Sequence, residues 1–194
     1  MLKIGIIIGS TRPGRRTPGV AKWIYDIAVK KGGADYEIVD IADYDLPVLD
    51  EPNPPSFGKY VQPHTKRWAE KIASLDGFIF VTPEYNHSIS GALKNAIDFL
   101  YGEWINKAAG FVSFGTTGGA RAVEHLRGIM AEVQVADVRA HVSLSLFTDF
   151  VNFGELKPAE WHQASADAML DQLLAWSGAL KTLRADLAQK AKAA

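Results

Sequence analysis

The chain has 194 residues and not one of them is cysteine. That absence removes disulfides, thiolate zinc sites, iron–sulfur ligation and thiol redox chemistry together. Any redox activity must therefore come from a borrowed cofactor. Long apolar runs are also missing: no stretch approaches the ~18 continuous apolar residues of a membrane span, so no membrane partner is expected. A dominant sign of charge is lacking too. With 21 Lys+Arg against 22 Asp+Glu the net charge is −1, and no basic run exceeds two residues. A nearly neutral chain has little pull on a phosphate backbone, which argues against nucleic acid as a partner. Met1-Leu2-Lys3-Ile4 passes straight into a strand with no charged-then-apolar leader, so no signal peptide is expected.

What remains is an ordinary globular composition, 47% hydrophobic and 22% charged. At about 100–200 residues per domain, the expectation is one domain over 1–194, with an Ala/Lys tail at 188–194 that frays. Apolar runs at 3–8, 36–41, 77–82, 110–114 and 137–142 read as strands. The first, third and fourth are apolar almost throughout, as in a parallel sheet covered on both faces.

Helices fill the gaps. After Thr17, a cap candidate, and Pro18 at the first helical position, Val20, Ala21, Ile24, Ile27 and Ala28 form one stripe. A shorter amphipathic segment spans 67–75. Ser90 can cap a helix carrying Leu93, Ala96, Ile97 and Leu100. Val123, Leu126, Ile129, Met130 and Val133 mark a fourth helix. The last and longest starts near 158 and carries Met169, Leu170, Leu173, Trp176, Leu180, Leu183 and Leu187. Strict alternation of strand and helix gives an α/β fold. The natural arrangement is a flavodoxin-like, doubly wound, five-stranded parallel sheet of order 2-1-3-4-5 with helices on both faces. The stretch 47–63 holds five of the nine prolines and reads as a long surface loop.

Folds of this kind bind ligands where loops leave the carboxyl ends of the strands. After the first strand come Gly9-Ser10-Thr11-Arg12-Pro13-Gly14-Arg15-Arg16-Thr17-Pro18. Free N–H groups and hydroxyls at a helix N-terminus make an anion cradle. Arg12, Arg15 and Arg16 sit beside the positive end of the helix dipole, where each cation is disfavoured by ~0.3–1 kcal/mol. A phosphate resolves that conflict better than a solvated loop does. No G-x-G-x-x-G and no G-x-x-x-x-G-K-[ST] occurs here, so a monophosphate fits better than a dinucleotide or a P-loop nucleotide. The loop after the third strand, Pro83-Glu84-Tyr85-Asn86-His87, and the Gly-rich loop Gly115-Thr116-Thr117-Gly118-Gly119 together suit a flat heteroaromatic with hydrogen-bonding edges.

These same residues resemble the NADPH-dependent FMN reductases: Gly9-Ser10-Thr11-Arg12, the run from Pro83-Glu84-Tyr85-Asn86 to Gly91-Ala92-Leu93-Lys94-Asn95-Ala96-Ile97-Asp98, and the loop from Gly115 to Gly119. The Pro-Glu-Tyr-Asn stretch is the most specific part, and the likeness extends from Lys3 to about His141. The resemblance implies bound FMN, NADPH or NADH as hydride donor, a small-molecule electron acceptor, a homodimer or homotetramer, and a cytoplasmic location. It implies that Ser10, Arg12 and Thr17 hold the FMN phosphate. Pro83, Glu84, Tyr85 and Asn86 would line the isoalloxazine, largely through backbone. Ser113, Gly115, Thr116, Gly118 and Gly119 would surround its pyrimidine edge. Arg15 and Arg16 are extra positive charge, free for the nicotinamide cofactor's phosphates or for solvent.

The chemistry that follows is hydride transfer to flavin and electron transfer onward. Donor and acceptor cannot share one flavin face, which predicts ping-pong turnover. No side chain is needed as a catalytic acid or base, and no metal site is expected, since the five histidines show no ligand spacing. His87 beside the second loop is at least as well read as a solvated histidine. Lys94 and Asp98 stand one turn apart and can pair. Tyr101 and Trp104 either pack under the following strand or belong to a subunit interface. Two rival functions share the fold: an FMN electron carrier and a redox sensor, neither of which turns over NAD(P)H. A hydrolase is disfavoured because Gly110-Phe111-Val112-Ser113-Phe114-Gly115 is not G-x-S-x-G.

Overall fold

The computed structural model describes residues 1–193. Its main strands are β1 (Leu2–Ile8), β2 (Ala34–Asp40), β3 (Gly77–Pro83), β4 (Lys107–Gly115) and β5 (Val135–Ser145). Between them run α1 (Thr17–Lys31), α2 (Pro63–Ala73), α3 (Gly91–Asp98) and α4 (Ala120–Glu132); α5 (His162–Ala193) comes last. The strands form one parallel sheet in the order β2-β1-β3-β4-β5, the flavodoxin-like order expected from the alternation. Ile6 of β1 lies between Ile38 of β2 and Ile79 of β3. β3 and β4 are buried along their whole length, which is why their sequences are mostly apolar, with Thr82, Lys107 and Ser113 as buried exceptions.

One face of the sheet packs Ile4, Ile6, Val112 and Val142 against α1 and α5. The other packs Ile7, Phe78, Phe80 and Phe111 against α2, α3 and α4. Trp104 is fully buried in this second layer, edge-on to Phe78 at 5.0 Å and Trp68 at 6.2 Å, with its indole N–H on Ile97 O at 3.2 Å. The packing reading of Trp104 is therefore the correct one, and the interface reading fails for it. Removing such a side chain leaves a cavity worth roughly 3–5 kcal/mol.

Several boundaries differ from expectation for identifiable reasons. Pro63 begins α2 instead of ending the loop, because proline suits the first helical turn, where no N–H is required. Thr17 is not a cap: Arg16 holds that position without a side-chain hydrogen bond, and Thr17 lies inside the first turn. Ser90 does cap α3, accepting from Leu93 N at 3.0 Å. α5 starts at His162 and is helical through the expected frayed segment as far as Ala193. Its buried face ends at Ser177 because the helix outruns the sheet, so Leu183 and Leu187 of the predicted stripe are largely exposed. The 47–63 loop is pinned to α3 by Asn95, which donates to Pro47 O at 2.6 Å and accepts from Leu49 N at 3.0 Å.

The amino end of the sheet is tied by one carboxylate. Asp76 accepts from Lys3 N (3.0 Å), Lys181 Nζ (2.7 Å) and Arg184 (2.6 Å). Burial raises its pKa, but these donors outweigh that and hold it below the usual carboxylate range. Nearby, buried Lys107 donates to Ile72 O at 2.6 Å at the end of α2. Burial, reinforced by Arg184, pushes its pKa down to about 8.

The outer edge of β5 is closed by side chains. Arg127 donates to Val138 O (2.9 Å) and Arg139 O (3.1 Å) and pairs with Asp137, while Gln172 accepts from Ala140 N at 3.0 Å. Beyond β5, a two-stranded antiparallel hairpin forms from β6 (Phe150–Val151) and β7 (Glu155–Leu156).

Candidate active site at the carboxyl ends of the strands

Three loops converge at the carboxyl edge of the sheet. The first leaves β1 at Gly9, whose N–H donates to Val81 O at 2.8 Å. A Cβ there would stand 2.8 Å from Val81 O and from Leu93, so only glycine allows this close passage. Ser90 closes it from the other side by donating to Gly9 O at 2.6 Å. Ser10 is fully buried and shares a hydrogen bond of 3.1 Å with the Tyr85 hydroxyl, joining the first loop to the second. Arg12 is exposed.

Arg15 is not free. It donates to Ser10 O and forms a two-pronged contact with Asp40 at the end of β2, at 3.1 and 2.5 Å. It therefore braces the loop, and the expectation that it meets a cofactor phosphate or solvent is corrected. Arg16 is different: its Nε is buried with no partner, and so is the hydroxyl of neighbouring Thr17. Unpartnered buried polar groups cost about 1–3 kcal/mol each. Both belong to the start of a 15-residue helix, whose dipole favours an anion. The residues present thus fit a phosphate, with Arg16 joining Ser10 and Thr17 in a role the sequence reading did not single out.

The second loop turns back on itself. Tyr85 and Ser88 exchange backbone hydrogen bonds of 2.9 and 3.1 Å around Asn86 (φ 49°) and His87 (φ 68°). Left-handed backbone at two consecutive non-glycine residues is uncommon and held here by that tight turn. Pro83 is buried, Tyr85 half-buried and Asn86 exposed. The third loop depends on its glycines. A Cβ on Gly118 (φ 71°) would lie 2.7 Å from Ser143 Oγ, and one on Gly119 (φ 76°) 2.9 Å from Phe114 N. Ser113 is fully buried and donates to Gly118 O at 2.7 Å, with Ser143 adding a second bond to the same oxygen at 3.0 Å. Ser113 therefore supports the loop from beneath, while Gly115 is buried at its start and Thr116 is exposed at its tip.

Arg121, at the start of α4, fastens the second loop to the third. It donates to Glu84 Oε1 at 2.6 Å, to His87 Nε2 at 2.8 Å and to Thr117 Oγ1 at 3.1 Å. A guanidinium has no lone pair to offer, so His87 Nε2 is the acceptor and its proton sits on Nδ1. The Glu84 side chain is only 6% exposed, and its Oε2 is buried without a donor. Glu84 and His87 lie too far from Arg121 in sequence for spacing to reveal the contact. Lys94 and Asp98 do pair, at 2.5 Å on the exposed face of α3.

A parallel sheet of this order, with an arginine- and hydroxyl-bearing loop after its first strand and a glycine-built loop after its fourth, has the flavodoxin-like architecture. Residues 2–149 match the family model for NADPH-dependent FMN reductase. The chain is 39% identical over 159 residues to an NAD(P)H-dependent FMN reductase of Schizosaccharomyces pombe, covering 81% of this chain and 80% of that one. It is 36% identical over 137 residues to a quinone reductase of Escherichia coli, covering 66% and 69%. The flavoenzyme FerB of Paracoccus denitrificans, an NAD(P)H:(acceptor) oxidoreductase, shares the fold: the TM-score is 0.70 at 22% identity, over 90% of this chain and 97% of that one. The chain belongs to the NADPH-dependent FMN reductase family. By that membership it is an oxidoreductase that works with FMN and a nicotinamide cofactor.

Proposed function

We propose that this protein passes electrons from NADPH or NADH through FMN to a small acceptor, a quinone before a free flavin, an azo compound or a metal oxyanion. Residues 1–194 would act as one FMN-binding unit. The observation that carries the reading is the buried, unpartnered pair of Arg16 Nε and Thr17 Oγ1 at the start of α1, in a chain of this family. A quinone is favoured because a quinone reductase is among the relatives.

FMN would supply the two-electron chemistry, hydride acceptance from the nicotinamide and electron delivery to the acceptor. The chain supplies placement. Ser10, Arg16 and Thr17 hold the phosphate, with Arg12 at the rim. Pro83, Glu84, Tyr85 and Asn86 form one side of the slot. The loop of Gly115, Thr116, Gly118 and Gly119 would form the other, held in shape by the Gly118 N–H on Gly115 O at 3.2 Å, and its remaining backbone donors would stabilise negative charge on a ring edge. Glu84 Oε2, a buried acceptor, takes an N–H or O–H of the ligand. Arg121 keeps the two loops at a fixed separation. No side chain moves a proton in this scheme. Donor and acceptor use the same slot in turn, so initial-rate plots at several acceptor concentrations are expected to be parallel.

The protein would act in the cytoplasm, as a homodimer or homotetramer; no helix among the described residues is long and apolar enough to cross a membrane. The first test is an anaerobic absorbance spectrum of protein with FMN, before and after NADPH. Bound yellow flavin that bleaches within seconds supports the reductase. Bound flavin that stays yellow moves the reading to an electron carrier or redox sensor. No bound flavin removes both.

A further inference from the structure

The segment after β5 is built more firmly than a connecting loop requires. Asp149 is 1% exposed and accepts from Ser145 N (2.8 Å), Ala159 N (3.2 Å) and fully buried His162 (2.9 Å), while its own carbonyl accepts from Lys157 N at 2.8 Å. Phe150 plugs the base into the core against Phe114, ring centres 5.7 Å apart. Yet this fixed base carries two large aromatic rings in water. Phe147 is 66% and Phe153 52% exposed, and they stand edge to face at 5.7 Å and 77°.

Phe153 is also held in left-handed backbone (φ 54°) beside Asn152 (φ 48°), although Gly154, which tolerates that conformation freely, is the next residue. A bulky residue in that region is an outlier, and such outliers gather at ligand sites. The location agrees. Leu146 N donates to Gly115 O at 2.9 Å, so the segment leaves the sheet against the third site loop. Across a cleft of about 410 Å³ the hairpin faces the first loop, with Phe150, Glu155 and Leu156 opposite Arg15, Arg16 and Gly19. From Phe150 onward this structure lies past the family match, which ends at residue 149.

We propose that the hairpin is a ring-binding wall of the active site, and that Phe147 and Phe153 take a planar aromatic ring of the ligand that exchanges electrons with the flavin. That ring belongs either to the quinone acceptor or to the adenine of the nicotinamide donor; the two share the flat π face that edge-to-face phenyl rings recognise. The proposal rests on the reductase reading above and adds a substrate subsite to it.

The test uses the full-length, FMN-loaded protein and the variants Phe147→Ser, Phe153→Asn and their combination. Asparagine tolerates the left-handed backbone, so Phe153→Asn removes the ring without disturbing the turn. Three quantities are read: FMN affinity, KM and kcat for NADPH and for a naphthoquinone, and calorimetric binding of 5′-AMP and of the naphthoquinone to the oxidised holoprotein. The double variant is expected to raise one of the two KM values roughly 3- to 10-fold, with kcat and FMN affinity within twofold. A matching loss of 5′-AMP binding identifies the adenine; a loss of naphthoquinone binding identifies the acceptor. Unchanged KM and binding for both ligands overturns the proposal. So does a parallel fall in FMN affinity, which would make the hairpin a support of the cofactor loops. A change of assembly mass by light scattering overturns it as well, assigning the rings to a contact between copies. If wild-type protein binds FMN but NADPH does not reduce it, the reductase reading fails before any variant is compared.

Discussion

The two ends of the sheet are built from similar residues and finished in opposite ways. At the amino end, every charge of the central cluster is answered: Asp76 takes Lys3 N, Lys181 and Arg184, and buried Lys107 caps the carbonyls at the end of α2. At the carboxyl end, Arg16 Nε, Thr17 Oγ1 and Glu84 Oε2 are buried without partners, and two consecutive non-glycine residues hold left-handed backbone. Buried groups without partners are rare and each calls for an explanation; Ser177 Oγ, beside Gly77 at the amino end, is one as well, as are Thr65 Oγ1 and His162 Nδ1. On the proposed reading the three at the carboxyl end answer a ligand, and this is tested by perturbing each end in turn.

The largest effect is expected at the anion site. Arg16→Ala should weaken FMN binding about 10- to 100-fold, the range for losing a hydrogen bond to a charged group. Thr17→Val should weaken it too while leaving the melting temperature of the flavin-free protein unchanged or higher, since it deletes an unpartnered buried hydroxyl. Fluorescence quenching of FMN and calorimetry without FMN measure the two quantities. A large loss of flavin-free stability would class Thr17 with the structural groups instead.

Asp76→Ala should behave in the reverse sense. It leaves Lys3 N without an acceptor and Arg184 with Asn106 O alone, and should lower unfolding stability by about 2 kcal/mol, with FMN affinity unaltered. Denaturant titration of both forms settles this, and weaker FMN binding would mean that the two ends are coupled. Arg121→Ala lies between the extremes. Loosening the two slot loops should weaken FMN roughly 3- to 10-fold, and Arg121→Lys should recover little, because one ammonium cannot reach Glu84, His87 and Thr117 from a planar fork. Full recovery by lysine would reduce Arg121 to a simple charge.

The smallest effect is a pH dependence. The native pKa of Lys107 is about 8, below its ordinary 10.5. Between those values the unfolded chain holds a proton that the native state has released, so stability rises with pH across that window. The gain between pH 8 and 9 is at most about 1 kcal/mol. The stability of wild type should rise with pH relative to that of Lys107→Met; parallel curves would show that the lysine stays charged when buried.

Legibility in the sequence followed locality. β1, β3 and the middle of β4 were readable because burial on both faces favours apolar runs, while β4 starts earlier than the expected 110–114, at a buried lysine. β5 runs from Val135 to Ser145, well beyond the expected 137–142, because at the sheet edge its buried positions are interspersed with half-buried ones and the run loses contrast. The site loops were readable because glycine, serine and arginine after an apolar strand have a local meaning. Their fastenings were not. Arg15 reaches Asp40, Arg121 reaches Glu84 and His162 reaches Asp149, and nothing in the intervening residues signals these meetings. Arg15 and Arg16, adjacent and chemically identical, have different surroundings: Arg15 reaches Asp40, while Arg16 Nε is buried without a partner.

One device at the margin of the fold has a consequence for the molecule as a material. Part of the outer edge of β5 is closed to a neighbouring strand, since Arg127 occupies Val138 O and Arg139 O and Gln172 occupies Ala140 N. At the opposite margin, β2 carries Asp35 and Glu37. A sheet with so apolar a middle would otherwise present two open margins to lateral growth. Side-chain caps on one border and charge on the other both work against such sheets pairing edge to edge.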